Sequence, residues 1–134
     1  FMELYAPTER AEQAKRYLFE LQEKLAYKEL LAARLYLRLG NYMGNNYEAS
    51  VITSREALKD YPYSKYAEEF QILILRARFE LAENSISRSN PKRYCVVIDE
   101  YFNYTNSYPS GKYLKEAEKY YKIAQEIVDK LPAS

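Results

Sequence analysis

The chain contains no histidine and no tryptophan, and only one cysteine in 134 residues. The missing histidine removes the commonest general base and the commonest metal ligand. Cys95 has no second cysteine for an internal disulfide and no histidine for a Cys-His nucleophile. Glycine is scarce, at three residues, and proline stands at five. So few breakers leave room for long helices and little for the many turns of an all-β fold. Neither sign of charge dominates: 20 basic against 19 acidic side chains give a formal net charge of +1. With no Lys/Arg-rich run either, the sequence argues against a nucleic-acid binder. No apolar run approaches the ~18 residues of a membrane-spanning helix. The opening "FMELYAP" has neither the charged start nor the apolar core of a signal peptide. It reads as a chain that begins in mid-element, as a processed product or a cut piece of a longer protein would.

What is present points to one soluble, globular domain over 1–134, because 48% apolar and 29% charged residues suffice for a single core. Within it one piece of punctuation is written twice. "YPYSKY" opens at Tyr61 and "YPSGKY" opens 47 residues later, at Tyr108. The flanking apolar positions fall in register at the same offset. Tyr66, Phe70, Leu73, Ala77 and Leu81 meet Tyr113, Ala117, Tyr120, Ala124 and Val128, at the spacing of one helix face. Before the turns, Tyr47, Val51, Leu58 and Tyr61 meet Tyr94, Ile98, Thr105 and Tyr108. Each unit is therefore a helix, a Tyr-Pro turn and another helix. Proline disfavours helix at the residue before it and cannot continue the hydrogen-bond ladder. Ser64 then suits the cap of the following helix, and Gly111 offers a weaker cap.

A looser copy opens the chain. Pro7 and Thr8 precede Ala11, Ala14, Leu18, Leu21, Leu25, Ala32, Leu35 and Leu39, a stripe that predicts one long helix with this face toward the core. It ends at "GNYMGNN", whose glycines and asparagines supply left-handed and turn conformations. Glu12/Arg16 and Glu20/Lys24 stand four apart on its outer face, in the favourable order for ion pairs. The layout is all-α, about five helices over 8–39, 46–60, 64–84, 91–107 and 111–130. Short links favour antiparallel neighbours, and repetition favours a solenoid of helical hairpins, with repeats at 8–60 and 64–107 and a final helix at 111–130. "FQILILRARF" is apolar on more than one side, which places the helix at 64–84 in the middle.

Sites for chemistry are sparse. Glu68-Glu69 and Asp99-Glu100 are adjacent in helices, so their carboxylates diverge and read as solvated faces rather than an acid–base dyad. "GNYMGNN" lacks the lysine and strand context of a phosphate loop. Cys95 reads as a small packing residue beside Tyr94, Val97 and Ile98. The sequence thus assigns no catalytic residue, cofactor or metal site. The sixteen tyrosines are the most unusual feature. On the stripes they read as interhelical packing with the hydroxyl at the rim. At the first turn, Tyr63 and Tyr66 with Lys65, and Arg55 with Lys59 on the preceding helix, form the candidate partner-binding surface, because tyrosine and arginine commonly anchor interfaces. Two cations on one ridge suit an acidic partner patch.

Helical hairpins closed by proline describe the tetratricopeptide class. "NYEASVITSREALKDYP" carries small Ser50 and Ala57 and then Pro62 at that class's spacing, although the second copy has Tyr104 where Ala57 sits. The 47-residue period exceeds the usual ~34, so this is a long-helix variant. Over about residues 5–130, and most closely through "RLGNYMGNNYEA" and "KDYPYSKYAEE", the chain resembles the C-terminal half of the BamD family, tetratricopeptide lipoproteins of the outer-membrane β-barrel assembly machinery. The family's lipid-bearing N-terminal cysteine and first repeats are missing from this sequence. The resemblance implies a non-enzymatic scaffold at the periplasmic face of the outer membrane, lipid-anchored in full length. It would dock the periplasmic domains of the barrel subunit and hold nascent outer-membrane proteins. The resemblance singles out no docking residue. Two other readings share the fold: a generic tetratricopeptide adaptor for an extended peptide, and a glycan-binding surface lipoprotein.

Overall fold

The computed structural model describes residues 7–84 and 91–130, and every regular element among them is helical. In chain order these are α1 (Pro7–Leu39), α2 (Asn46–Asp60), α3 (Ala67–Glu83), α4 (Pro91–Ser107) and α5 (Leu114–Lys130). The contacts show that successive helices run antiparallel. Leu37, late in α1, packs with Tyr47 and Val51, early in α2. Ala57, late in α2, packs with Phe70, early in α3. The all-α expectation and the five helices hold, and the hairpin packing is consistent with a tetratricopeptide-like fold.

The apolar run in α3 explains the arrangement. Phe70 and Leu73 face Ala26, Leu30 and Ala33 of α1 and Ala57 of α2. Ile74 and Ala77 meet Tyr47 and Val51 of α2. Ile72, Leu75, Phe79 and Ala82 turn the other way, onto Tyr94, Val97 and Tyr104 of α4 and Ala117 and Ala124 of α5. Helix α3 therefore touches all four other helices and divides the core in two. Small residues allow α2 close to α1: Ser50, Ser54 and Ala57 are buried, and the Ser50 hydroxyl donates to the Ala33 carbonyl at 2.9 Å.

Helix α1 corrects the sequence reading. The stripe through Leu18, Leu21, Leu25, Leu35 and Leu39 faces solvent, with Leu18 at 56% and Leu35 at 50% exposure. The buried face is Ala26, Leu30 and Ala33, with Leu37 partly covered. Both stripes keep helical spacing, and the regular leucine stripe masks the smaller alanine-rich one. Close approach of α2 selects the alanines. The Glu12/Arg16 and Glu20/Lys24 spacings do not close into ion pairs.

The two turns also run longer than expected. α3 and α5 begin at Ala67 and Leu114 rather than at 64 and 111. Successive turn bonds fill the gap: Ser64 N–H to the Tyr61 carbonyl and Ala67 N–H to the Ser64 carbonyl, both 3.1 Å, then Gly111 N–H to Tyr108 at 3.0 Å and Leu114 N–H to Gly111 at 3.3 Å. Ser64 does not cap the helix. Its hydroxyl accepts from the Tyr66 N–H at 3.1 Å inside the turn, and Tyr66 occupies the cap position without a side-chain bond.

Gly111 is a clearance rather than a cap. A Cβ there would collide with the Tyr104 hydroxyl and lie 2.7 Å from the Glu68 carboxylate. Tyr104 is fully buried; its hydroxyl donates to Glu68 at 2.7 Å and accepts from the Tyr113 N–H at 2.9 Å. Glu68 also accepts from the Lys112 N–H at 2.6 Å. Burial, followed by the bond to Glu68, pushes the Tyr104 phenol well above its usual range. The pair Ala57/Ser64 of the first copy is thus exchanged for Tyr104/Gly111 in the second, where a larger ring takes the place of a turn side chain.

Other carboxylates read as solvated are also engaged. Glu69 accepts a two-pronged bond from Arg34 of α1, at 2.5 and 2.7 Å. Glu100 is 4% exposed. Cys95, read as a packing residue, is exposed: it stands off the Tyr94/Val97/Ile98 face, on the solvent side of α4. The mutual divergence of Glu68 and Glu69 does hold, since one reaches the α4–α5 turn and the other α1.

Two outcomes follow from this packing. Leu73→Ala should cost about 2–5 kcal/mol of unfolding free energy, as for large-to-small changes in a closed core. A chemical denaturation curve showing less than about half a kcal/mol would put α3 at the periphery. The second concerns Arg76, which clamps α3 to α5 through Glu116. Burial raises the Glu116 carboxyl, but the bonds from Arg76 and Tyr120 outweigh it and hold it below its ordinary value of 4.5. A depressed carboxyl stabilises the fold above its ordinary value, and that contribution is lost as pH falls through the lowered one. The melting-temperature gap between wild type and Glu116→Gln should stay level near neutrality and close in acid. A gap that persists at the lowest pH where the protein stays folded would show that Arg76 does not hold this carboxylate.

Candidate functional site

The turn between α2 and α3 projects because Pro62 ends one helix and the second turn bond delays the next. Tyr61 closes α2, its N–H bonding the Ala57 carbonyl at 2.7 Å. The next residues are carried outward, and Tyr63 reaches 89% exposure. Helix α1 backs this turn because it is much longer than α2. The Lys65 N–H donates to the Glu23 carboxylate at 3.4 Å, and the Tyr66 ring lies 5.4 Å from the Tyr27 ring in a tilted contact. The Lys65 ammonium sits 5.3 Å from the centre of the Tyr66 ring, within cation–π range. Two shallow concavities result. One of about 230 Å³ lies among Glu23, Lys24, Tyr27, Lys65 and Tyr66. The other, about 200 Å³, lies between Phe19 and Gln22 of α1 and the chain from Asp60 to Ser64.

Of the residues singled out in the sequence, the fold brings Tyr63, Lys65 and Tyr66 together on this turn. Lys59 is exposed one turn back along α2. Arg55 stands one turn before Lys59 on α2: it reaches across to α4 and bonds the buried Glu100 carboxylate, which also accepts from Asn103 at 3.3 Å. Arg55 is thus a clamp between α2 and α4 whose side chain stays half exposed beside Lys59. Phe19, Glu23 and Tyr27 complete the surface and were missed because α1 was read in the wrong rotation. The signal was present in the spacing of Phe19, Glu23, Ala26, Leu30, Ala33 and Leu37, a second stripe beside the leucines.

An exposed aromatic flanked by lysines over a packed base has the parts of an interface anchor. Among the described residues no group of His, Cys, Asp or Glu is arranged to hold a metal ion. No helix there is long and apolar enough to cross a membrane. No protein-family model matches the chain, and no curated protein matches it.

Arg55→Ala should lower unfolding stability by about 1–3 kcal/mol, because it strands a buried carboxylate. Lys59→Ala should change it by less than about half a kcal/mol. Thermal denaturation of the two variants side by side checks the division, and equal effects would contradict it.

Proposed function

We propose that the chain is a non-enzymatic scaffold of the outer-membrane β-barrel protein assembly machinery, with the architecture of a tetratricopeptide-like solenoid and a role like that of the BamD family it resembles. Its partner is the set of periplasmic domains of the barrel subunit, with nascent outer-membrane proteins as clients. It acts at the periplasmic face of the outer membrane, held there through a lipid anchor of the full-length protein. The observation that carries the docking role is the projecting turn, with Tyr63 almost fully exposed beside Lys65, Tyr66 and Lys59 on a base formed by α1. The uncovered leucine stripe of α1 supports the solenoid, since helical repeats cannot bury all their apolar faces alone and bury them against neighbours.

The surface is tested by Tyr63→Ala and Lys59→Glu, separately and combined. Both side chains are exposed, so the fold survives. Titration against the barrel subunit's periplasmic domains should show the double variant weaker by about tenfold, the range for loss of an anchor and a flanking charge. Affinity within about twofold of wild type at low salt, where exposed charges act most strongly, would remove this turn from the interface.

A further inference from the structure

The two concavities at the α2–α3 turn share the Glu23 carboxylate but differ in what faces it. In the first, the chain supplies its own cations: Lys24 and Lys65 line it, and the Lys65 ammonium sits 5.3 Å from the centre of the Tyr66 ring. A cation already rests there on an aromatic face beside a carboxylate. The second concavity has the same parts and no cation among its lining residues. Its wall is Phe19 and Glu23 of α1, Asp60 at the end of α2, and Tyr61, Pro62 and Tyr63 of the turn.

The electrostatics of this second concavity have one sign. Among the described residues neither Glu23 nor Asp60 is in an ion pair. The Glu23 carboxylate accepts from the Lys65 N–H, at a long 3.4 Å. The concavity also lies at the C-terminal end of α2, where aligned peptide dipoles leave negative potential. Pro62 adds to this, because it has no N–H to give the Leu58 carbonyl four residues back. Lys59, in the last turn of α2, is exposed and does not line the concavity. Phe19 at 48% and Tyr63 at 89% exposure keep ring surface open beside the two carboxylates. An anion would meet both carboxylates and the unfavourable end of a helix. A purely apolar side chain would strip water from the carboxylates and return nothing. An alkyl stem with a cationic head answers both demands, the stem on Phe19 and Pro62 and the head between the carboxylates and the tyrosine faces. At about 200 Å³ the concavity has room for one such side chain, not for a helix or a strand.

We propose that the concavity between α1 and the α2–α3 turn, walled by Phe19, Tyr61 and Tyr63 with Glu23 and Asp60, receives a single lysine or arginine side chain of the partner protein. Lys59 and Lys65 outside it repel a broad basic patch, so the partner offers one cation and not a run of them. The inference deepens the docking role proposed for the same turn and rests on that role.

The test follows backbone amide chemical shifts of the isotopically labelled full chain. The probes are the N-acetyl methylamides of arginine, lysine, glutamate and leucine. The arginine and lysine probes should shift the Glu23 and Tyr63 amides saturably, and the other two should not. Glu23→Gln and Asp60→Asn remove charge at nearly constant shape, and Tyr63→Leu removes the ring but keeps apolar bulk. Each should weaken the arginine probe by about threefold, and the two carboxylate changes together by about tenfold. Lys59→Glu should not weaken it. No saturable shift, equal shifts from the glutamate or leucine probe, full affinity in the double carboxylate variant, or a loss in Lys59→Glu would each overturn the proposal. Titration of the same variants against the barrel subunit's periplasmic domains separates the inference from the docking role. If Tyr63→Ala weakens that complex and the double carboxylate variant does not, the turn docks without a basic side chain in this concavity, and the inference fails alone. If the arginine probe binds as expected and no turn variant affects the complex, the cation site stands and docking to the barrel subunit fails.

Discussion

Everything in this fold depends on one helix having no solvent face wide enough to live on. Ile72, Leu73, Ile74 and Leu75 of α3 are consecutive and all buried. Four consecutive positions sweep most of the way round a helix, so no single neighbour can cover them. Two must sit on one side and two on the other, and the chain supplies α1 and α2 before α3, and α4 and α5 after it. Among the described residues the apolar clusters on the two sides are separate, and α3 contributes to each. A change at Leu73 and a change at Leu75 thus weaken different halves of the molecule.

Directional contacts then fix the rotation that apolar burial leaves loose. Arg34 holds Glu69 and Arg76 holds Glu116, so α1 is tied to α3 and α3 to α5 by the same two-pronged geometry. The two glutamates stand at the 47-residue offset of the repeat, whereas the arginines do not. Arg55 ties α2 to α4, and Arg78 ties α3 to α2. A guanidinium fork matched to a carboxylate specifies orientation as well as attraction, which a lysine does not. None of the four pairs is fully buried on both sides. Their value lies in setting helix rotation more than in raw stability.

Much of this was legible in the sequence and some was not, for physical reasons. Helix number and order, and the central place of α3, follow from breakers and periodicity, which are local. The start of α3 was misplaced because Ser64 fits a cap and fits a turn equally well by composition; only the bond to Tyr66 decides. The rotation of α1 was misread because a leucine stripe outweighs an alanine stripe in any hydrophobicity count. Close helix approach, with Ala26 and Ala33 against α2, rewards small residues instead. Cys95 was misplaced by a single residue step on α4, a rotation of about 100°. At the candidate surface, the exposure of Tyr63 and Lys65 was readable from their turn. The Arg55 ion pair was not, because its partner Glu100 lies in the next repeat and nothing local announces it.

The departures between the two copies say where repetition stops being structural. A repeat kept only for packing would keep Ala57 and Ser64 in both copies. Instead the second copy places Tyr104 and Gly111 there, and the buried tyrosine's hydroxyl draws Glu68 and the Tyr113 N–H into one network. That network stiffens the second turn from within. The first turn has no such lock: Ser64 bonds within its own turn, and the outward residues lean on α1 through Tyr66 and Lys65. One turn is therefore closed on itself and the other is open toward solvent at Tyr63. The open turn, backed by a helix and bonded within itself through Ser64, leaves Tyr63 uncovered where the closed turn buries Tyr104.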